Sequence, residues 1–368
     1  MLFLFAGCAP KHPVTDPPKE PVPGSFFDSQ GKPLTESALL HSIKNKDFIL
    51  IGESHDNPCD HHTQARVIEL MAMEGQKYVL GLEMVSVERQ EILGMFNEGF
   101  INVDQLPDML QWQDHWGYDF ELYRPIFDKA RAYLIPVKAL NLPSHVTRNI
   151  SHHGLDNLPP EDKEYLPEKL IEPPEEQLQM LREQFELHED LIQADQVKFR
   201  RFVAAQSAWD TKMAYEAVKA LEGKQKSVII LAGTGHVAMG WGIEHRLRQL
   251  LPEARIAGIV PVRALDDIRP DNPFNYFCPP SRERMRLGIV AQEENNRVMV
   301  IGVVQGSISM EAGLEKGDEI LRAGDKDISS LVDLHLAAVD AVNNNQALEL
   351  EIMRNDKVKI IEIVFDSN

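Results

Sequence analysis

The chain has 368 residues, more than the roughly 250–300 at which a single hydrophobic core stops growing, so two domains are expected. A hydrophobic share of 43% and a charged share of 26% exclude a disordered or fibrous chain. Asp and Glu number 57 against 38 Lys and Arg, and the formal net charge of -19 repels phosphate backbones, which excludes nucleic acid as a partner of the whole protein.

The first segment, Met1 to Gly7, is apolar but too short to span a bilayer. It runs into Phe5-Ala6-Gly7-Cys8, which resembles a bacterial lipobox with Phe5 in place of the usual Leu. Cys8 would then carry the lipid. Residues 9–24 hold Pro10, Pro13, Pro17, Pro18, Pro21 and Pro23, a density that prevents helix and favours an extended, semi-rigid tether. Residues 1–24 therefore read as signal remnant, lipobox and tether of an envelope lipoprotein. Position 9 is not Asp, which under the lipoprotein sorting rule points to the outer membrane, facing the periplasm. Acyl chains hold an acidic protein at a membrane without electrostatic attraction.

From 25 to 265, short β-branched runs alternate with helical patterns, which predicts a mostly parallel sheet with covering helices. Strands are expected at Asp47–Ile51, Tyr78–Glu83, Tyr133–Leu140, Lys226–Leu231 and Arg255–Val260. Helices are expected at Thr63–Glu74, Arg124–Ala132, Pro174–Ala205 and Asp210–Leu221. Pro159, Pro160, Pro173 and Pro174 set off a very polar segment that reads as an insertion packed on the outside. Pro270, Pro273, Pro279 and Pro280 mark a linker over 266–283, and residues 284–368 form a small β-rich domain with one helix at 331–342.

Chemistry-bearing residues cluster just past the strands, where ligands of open α/β sheets bind. Ile51-Gly52-Glu53-Ser54-His55 follows the first strand, Glu83 ends the second, and Ala232-Gly233-Thr234-Gly235-His236 follows the fourth. Glu53, His55, Glu83 and His236 thus form the candidate catalytic group, either as an acid–base set or as a divalent metal site of His55, Glu83 and His236. Trp112, Trp116, Tyr118 and Tyr123 can wall a flat apolar ligand, and Asn141, Gln206, Asp210 and Met213 stand in second rank. Cys59, His61 and His62 read as a surface helix start capped by Asp60, because adjacent histidines on a helix point in different directions and no paired Cys-x-x-Cys exists. Cys59 and Cys278 would be two thiols in an oxidising compartment, where pairing is open to them. The sequence has no Walker loop, Gly-x-Ser-x-Gly elbow or His-Glu-x-x-His.

The string GESH (52–55), GLEM (81–84), WGYDFELYRPIFDKA (116–130), ALNLP (139–143), AQSAWDTKMA (205–214) and LAGTGHVAMGWGI (231–243) resembles, in order and spacing, the ChaN-like haem-binding lipoproteins. Their superfamily also holds erythromycin-esterase-like and Tiki/TraB-like proteins. The resemblance, over about residues 25–262, implies haem or iron acquisition, with haem held between the subunits of a homodimer. The wider superfamily implies instead a metal-dependent hydrolase built on paired Gly-x-x-His motifs, with Glu53 as general base. Haem iron accepts His or Tyr, so His55, His115, Tyr118 and His236 are the candidate axial ligands.

The C-terminal region resembles a PDZ domain over about 284–366. Arg284, Arg286, Leu287, Gly288 and Ile289 match the loop that takes a peptide's terminal carboxylate, and Ala312 to Leu321 matches the AGL-x-x-GD-x-I-L signature. The implied partners are C-terminal peptides of exported proteins, added to the edge strand after Gly288. A third reading keeps the α/β body as a scaffold that only presents this module.

Overall fold

The computed structural model describes residues 21–75, 77–188, 196–222, 227–280, 287–294, 297–344 and 346–365. Cys8, Arg284 and Arg286 lie outside them. The first unit is an eight-stranded sheet of β1 (Phe26–Asp28), β2 (Pro33–Leu34), β3 (Phe48–Glu53), β4 (Tyr78–Ser86), β5 (Val137–Asn141), β6 (Ser227–Gly233), β7 (Ile256–Val262) and β8 (Phe274–Phe277). Its order is β2-β1-β8-β7-β3-β6-β4-β5. Strands β3 to β8 are parallel, and β1 pairs antiparallel with both β8 and β2.

Parity along the strands builds two cores. In β3, Ile49 and Ile51 enter one cluster with the helices Pro58–Met73 and Phe120–Ala132, while Phe48 and Leu50 enter another with the helices Gln196–Glu222 and Ile243–Leu250. Strand β6 divides in the same way, Ile229 and Leu231 against Val228, Ile230 and Ala232. Both faces of these strands are buried, which is why they read as continuous apolar runs. The chain steps from β3 to β4 to β5 on one side, returns to fill the gap with β6, then crosses to β7 and β8 on the other. That reversal opens a crevice beyond the carboxyl ends of β3, β6 and β4.

Several expectations need correction. The segment 266–283, expected as a linker, supplies β8, which pairs with β7 and β1; its prolines flank the strand rather than interrupt it. Strand β5 begins at Val137, because Tyr133 ends the preceding helix, Leu134 takes a left-handed turn at φ 53° and Pro136 has no N–H to give. Residues Asp210–Leu221 are the second half of one helix, Gln196–Glu222, since neither Gly nor Pro interrupts Val203–Leu221. The polar insertion is not merely a solvated face, for Gln177 and Leu181 of the helix Glu175–His188 are buried. A disulfide joins Cys59 to Cys278 across 219 residues, tying the first turn of the helix Pro58–Met73 to the residue after β8.

The second unit is an antiparallel sheet, β14-β13-β11-β10-β9 with β12 beside β11. Its strands are β9 (Ile289–Glu294), β10 (Arg297–Val303), β11 (Glu319–Ala323), β12 (Lys326–Asp327), β13 (Leu348–Arg354) and β14 (Lys357–Ile363), with a helix at Leu331–Asn343. Val298, Val300, Leu314, Ile320, Leu350 and Ile352 form its core. Fully buried Asp318 of the Gly-Asp signature takes a two-pronged ion pair from Arg354, 2.6 Å at each oxygen. Leu287, Gly288 and Ile289 lead into edge strand β9; Gly288 has φ 74° and accepts from the Val304 N–H. Among the described residues no helix is long and apolar enough to cross a membrane.

Candidate functional site

Strand parity puts Glu53 on the face it shares with Ile49 and Ile51, and there its carboxylate meets two hydrogen-bond donors and the imidazole of His61. Tyr123 OH donates to Oε1 at 2.8 Å, His55 Nδ1 lies 2.8 Å from the same oxygen, and His61 Nδ1 lies 3.2 Å from Oε2. Burial alone would raise this carboxyl, but the charge and hydrogen bonds of His61 and His55 outweigh it and hold it down at about 2. His55 shows the converse: burial opposes its charge, while Glu53 and the nearby charge of Glu83 raise its pKa. His61, expected at a surface helix start, is fully buried, with Nε2 3.1 Å from His55 O; its neighbour His62 faces solvent. Asn57 rather than Asp60 caps that helix, and fully buried Asp60 pairs with Arg263 and accepts from Ser54 N–H at 2.8 Å.

Glu83 approaches from the other side of the sheet end. Between Leu82 and Ser86, β4 slips against β5, so that Ser86 pairs with Asn141; such an irregularity re-aims the side chains it carries. The Glu83 carboxylate accepts from Gly233 N–H at 2.6 Å and lies 3.4 Å from His236 Nε2, while Asn141 Nδ2 donates to Glu83 O at 2.9 Å. His236 Nδ1 sits 2.7 Å from Asp210 Oδ1. Burial opposes the His236 charge, but Glu83 and Asp210 raise its pKa to about 9. Behind Asp210, Gln177 Nε2 donates to Oδ2 at 3.0 Å and the fully buried Arg246 guanidinium stands 3.4 Å away. The insertion helix thus completes this arm of the site.

The glycines of the two Gly-x-x-His motifs serve one another. A Cβ on Gly233 would stand 2.9 Å from His55 Cε1, and one on Gly52 would stand 3.3 Å from Thr234 Oγ1. Thr234 Oγ1 in turn donates to Glu53 O at 2.9 Å. Each imidazole therefore presents Nε2 to the crevice while Nδ1 is fixed by a carboxylate, the arrangement that orients a metal-bound or proton-shuttling histidine.

Glu53, His55, Glu83 and His236 are brought together as expected. Among the described residues, no three His, Cys, Asp or Glu side chains form a group that could hold a metal ion. Glu83 is already engaged by Gly233 and His236. Nor is Glu53 placed as a general base, being buried, held by three partners and lowered to about 2. Tyr118 is half-buried, its ring 5.1 Å from that of His55, whose other neighbour Trp116 stands edge-on at 4.7 Å. His115 is exposed and its Nε2 receives the Arg89 guanidinium. Met213 belongs to the core, and Gln206 is half-buried one turn before Asp210. Sequence reasoning missed His61, Gln177, Arg246 and Arg89. His61 alone left a trace, the helical spacing His61, Gln64, Ile68 of a buried face.

Beside the site a cavity of about 90 Å³ opens between Glu83, Ser86, Arg89, Trp116, Asn141 and Ser144. Residues 39–247 match the family model of haem-binding uptake proteins, Tiki superfamily, ChaN. The chain belongs to that family. Residues 285–364 of this ChaN-family protein match the model of the PDZ domain. The solved structure described as cofacial haem binding to ChaN of Campylobacter jejuni is 18% identical, covers 68% of this chain and 95% of its own, and has a TM-score of 0.56, which shows a shared fold. An erythromycin esterase in its open conformation is 11% identical over 64% of this chain and 76% of its own, with a TM-score of 0.37. An HtrA-type protease with a decapeptide is 16% identical over 22% and 27%, with a TM-score of 0.18. No curated protein sequence matches the chain.

Proposed function

We propose that this ChaN-family protein takes up haem on the face formed by His55, Trp116 and Tyr118, held in the bacterial envelope through Cys8. The aromatic face carries the reading. It lies at the carboxyl edge of the sheet beside a cavity of about 90 Å³, whereas pockets that enclose ligands of drug size run to roughly 300–1,000 Å³. A porphyrin must therefore rest on the surface, which suits the cofacial arrangement named for the Campylobacter jejuni protein and a pair of chains sharing haem. The donor set fits haem iron, which accepts His or Tyr. His55 and His236 have Nδ1 committed to carboxylates, His236 lies against Glu83, and His115 is taken by Arg89. His236 and His115 are thereby set aside, and His55, whose Nε2 faces the crevice, and Tyr118 beside it are the candidate iron ligands. The PDZ domain supports recruitment of exported proteins by their C-termini, and outer-membrane attachment facing the periplasm follows if Cys8 is acylated.

Haemin titrated into the purified chain should shift the Soret band with saturable stoichiometry, and of His55→Ala and Tyr118→Phe the variant that removes the iron ligand should change the bound spectrum. Absence of saturable binding at micromolar haemin overturns the reading.

A second reading, hydrolysis, is favoured by the two imidazole–carboxylate pairs facing Glu83. In it His236, charged below about 9, is the acid, His55 is the base and Glu53 only orients His55. Turnover of activated esters or peptides that His236→Asn abolishes supports it; equal turnover by the variant rejects it.

A further inference from the structure

The small cavity beside the site has a polarity that the aromatic face does not use. Strand β4 runs along it from Glu83 to Ser86, three residues and so about 10 Å, and Arg89 follows one turn later. At one end Glu83 is engaged by Gly233 N–H and His236, and Arg89 stands at the other. There Arg89 is the one Lys or Arg among the residues that line the cavity, and hydroxyls of Ser86 and Ser144 stand with it.

Two donor atoms here have no hydrogen-bond acceptor among the described residues. Ser86 Oγ and Arg89 Nε are buried without a hydrogen-bond partner among the described residues. Glu88 comes to 3.8 Å of Arg89 Nε, an ion pair too long for a hydrogen bond. The guanidinium is nevertheless fixed, because its Nη2 donates to Gln111 Oε1 at 2.6 Å and to His115 Nε2. A buried polar group left without a partner costs free energy, so a held cation and a hydroxyl in this state mark a place where a ligand supplies the acceptor. The cavity holds a carboxylate comfortably and a porphyrin not at all. Trp116 belongs both to the aromatic face around His55 and to the cavity wall, so the two are continuous.

We infer that this cavity receives a carboxylate of the ligand, with Arg89 as its counter-cation and Ser86 as a second donor. Resting on the haem reading above, the group is one propionate of a haem lying on the aromatic face. Arg89 is then a binding residue that anchors and orients the macrocycle, and the donors favour the free acid over its ester, which offers no anionic oxygen.

The test titrates haemin and haemin dimethyl ester, delivered in the same detergent, into the wild-type chain and into Arg89→Gln. Wild type should bind haemin about tenfold more tightly than the ester, a gap that needs no variant to observe. Arg89→Gln should lose about tenfold for haemin and nothing for the ester. Equal wild-type affinity for the two, or a variant that weakens both alike or neither, overturns the propionate assignment and leaves haem binding standing. A wild-type chain that binds neither overturns the haem reading and the assignment with it.

Discussion

Gly233 makes room for the ring of His55. A Cβ there would lie 2.9 Å from Cε1 and 3.1 Å from Nε2, inside any ordinary contact, and the ring is held in place by Glu53 at 2.8 Å. The glycine of the second Gly-x-x-His motif thus shapes the histidine of the first, and Gly233 N–H holds Glu83 as well.

Gly233→Ala should therefore displace His55 and cost about 1–3 kcal/mol of stability, as overpacking of a rigid site does. Gly235→Ala, whose Cβ would meet nothing within 4 Å, should be close to neutral. Urea denaturation and haemin titration of both variants check this; equal behaviour of the two would show that the close approach is unimportant.

Stability should depend on pH through His236. Its folded pKa is raised from 6.5 to about 9 by Glu83 and Asp210 against the effect of burial, so its contribution is complete below about 6.5 and fades as pH rises through 9. Wild type should lose on the order of 2 kcal/mol relative to His236→Asn between pH 6.5 and 9.5. Glu53, lowered to about 2, acts in the opposite sense: its contribution is present above about 4.5 and is lost as pH falls toward 2. Urea midpoints of both proteins across pH 3 to 10 provide the measurement, and parallel curves above pH 6.5 would remove His236 from the account.

The Cys59–Cys278 disulfide closes a loop of 219 residues and anchors the chain after β8 to the helix that carries His61. Asn57 Nδ2 to Pro279 O at 3.0 Å and Arg263 Nη1 to Cys278 O at 3.1 Å reinforce the same junction. Reduction, or Cys278→Ser, should lower stability by about 2–5 kcal/mol. Thermal melts with and without reductant read it, and an unchanged melting temperature would count against a structural role.

In the PDZ domain, Gly288→Ala combines a left-handed φ of 74° with a Cβ 2.1 Å from that of Ser307. It should weaken a C-terminal peptide by more than tenfold while haemin binding stays intact. Fluorescence anisotropy with free-acid and amidated peptides follows this, and wild-type binding of both peptides alike argues against recognition of the terminal carboxylate.

The sequence by itself determined the elements and the edge. Short apolar runs such as Phe48–Ile51 and Val228–Leu231, set between helical patterns, read as buried strands, and polar groups at the end of a parallel strand reach the carboxyl edge. Glu53, His55, Glu83 and His236 were legible for that reason, as was the PDZ signature that buries Asp318. What surrounds them was decided by tertiary structure. The partners of Glu53 and His236 come from distant segments, Tyr123 70 residues away and Asp210 26, and no local period announces such pairings. Nor does spacing say that Gly233 abuts His55, that Cys59 meets Cys278, or that Arg89 lines a cavity ending at Glu83. Strand β8 escaped notice because four residues among prolines carry little pattern, and only its neighbours β7 and β1 make it a strand. Side-chain chemistry is written along the chain, whereas protonation, access and fit depend on which charges and walls folding brings within a few ångströms.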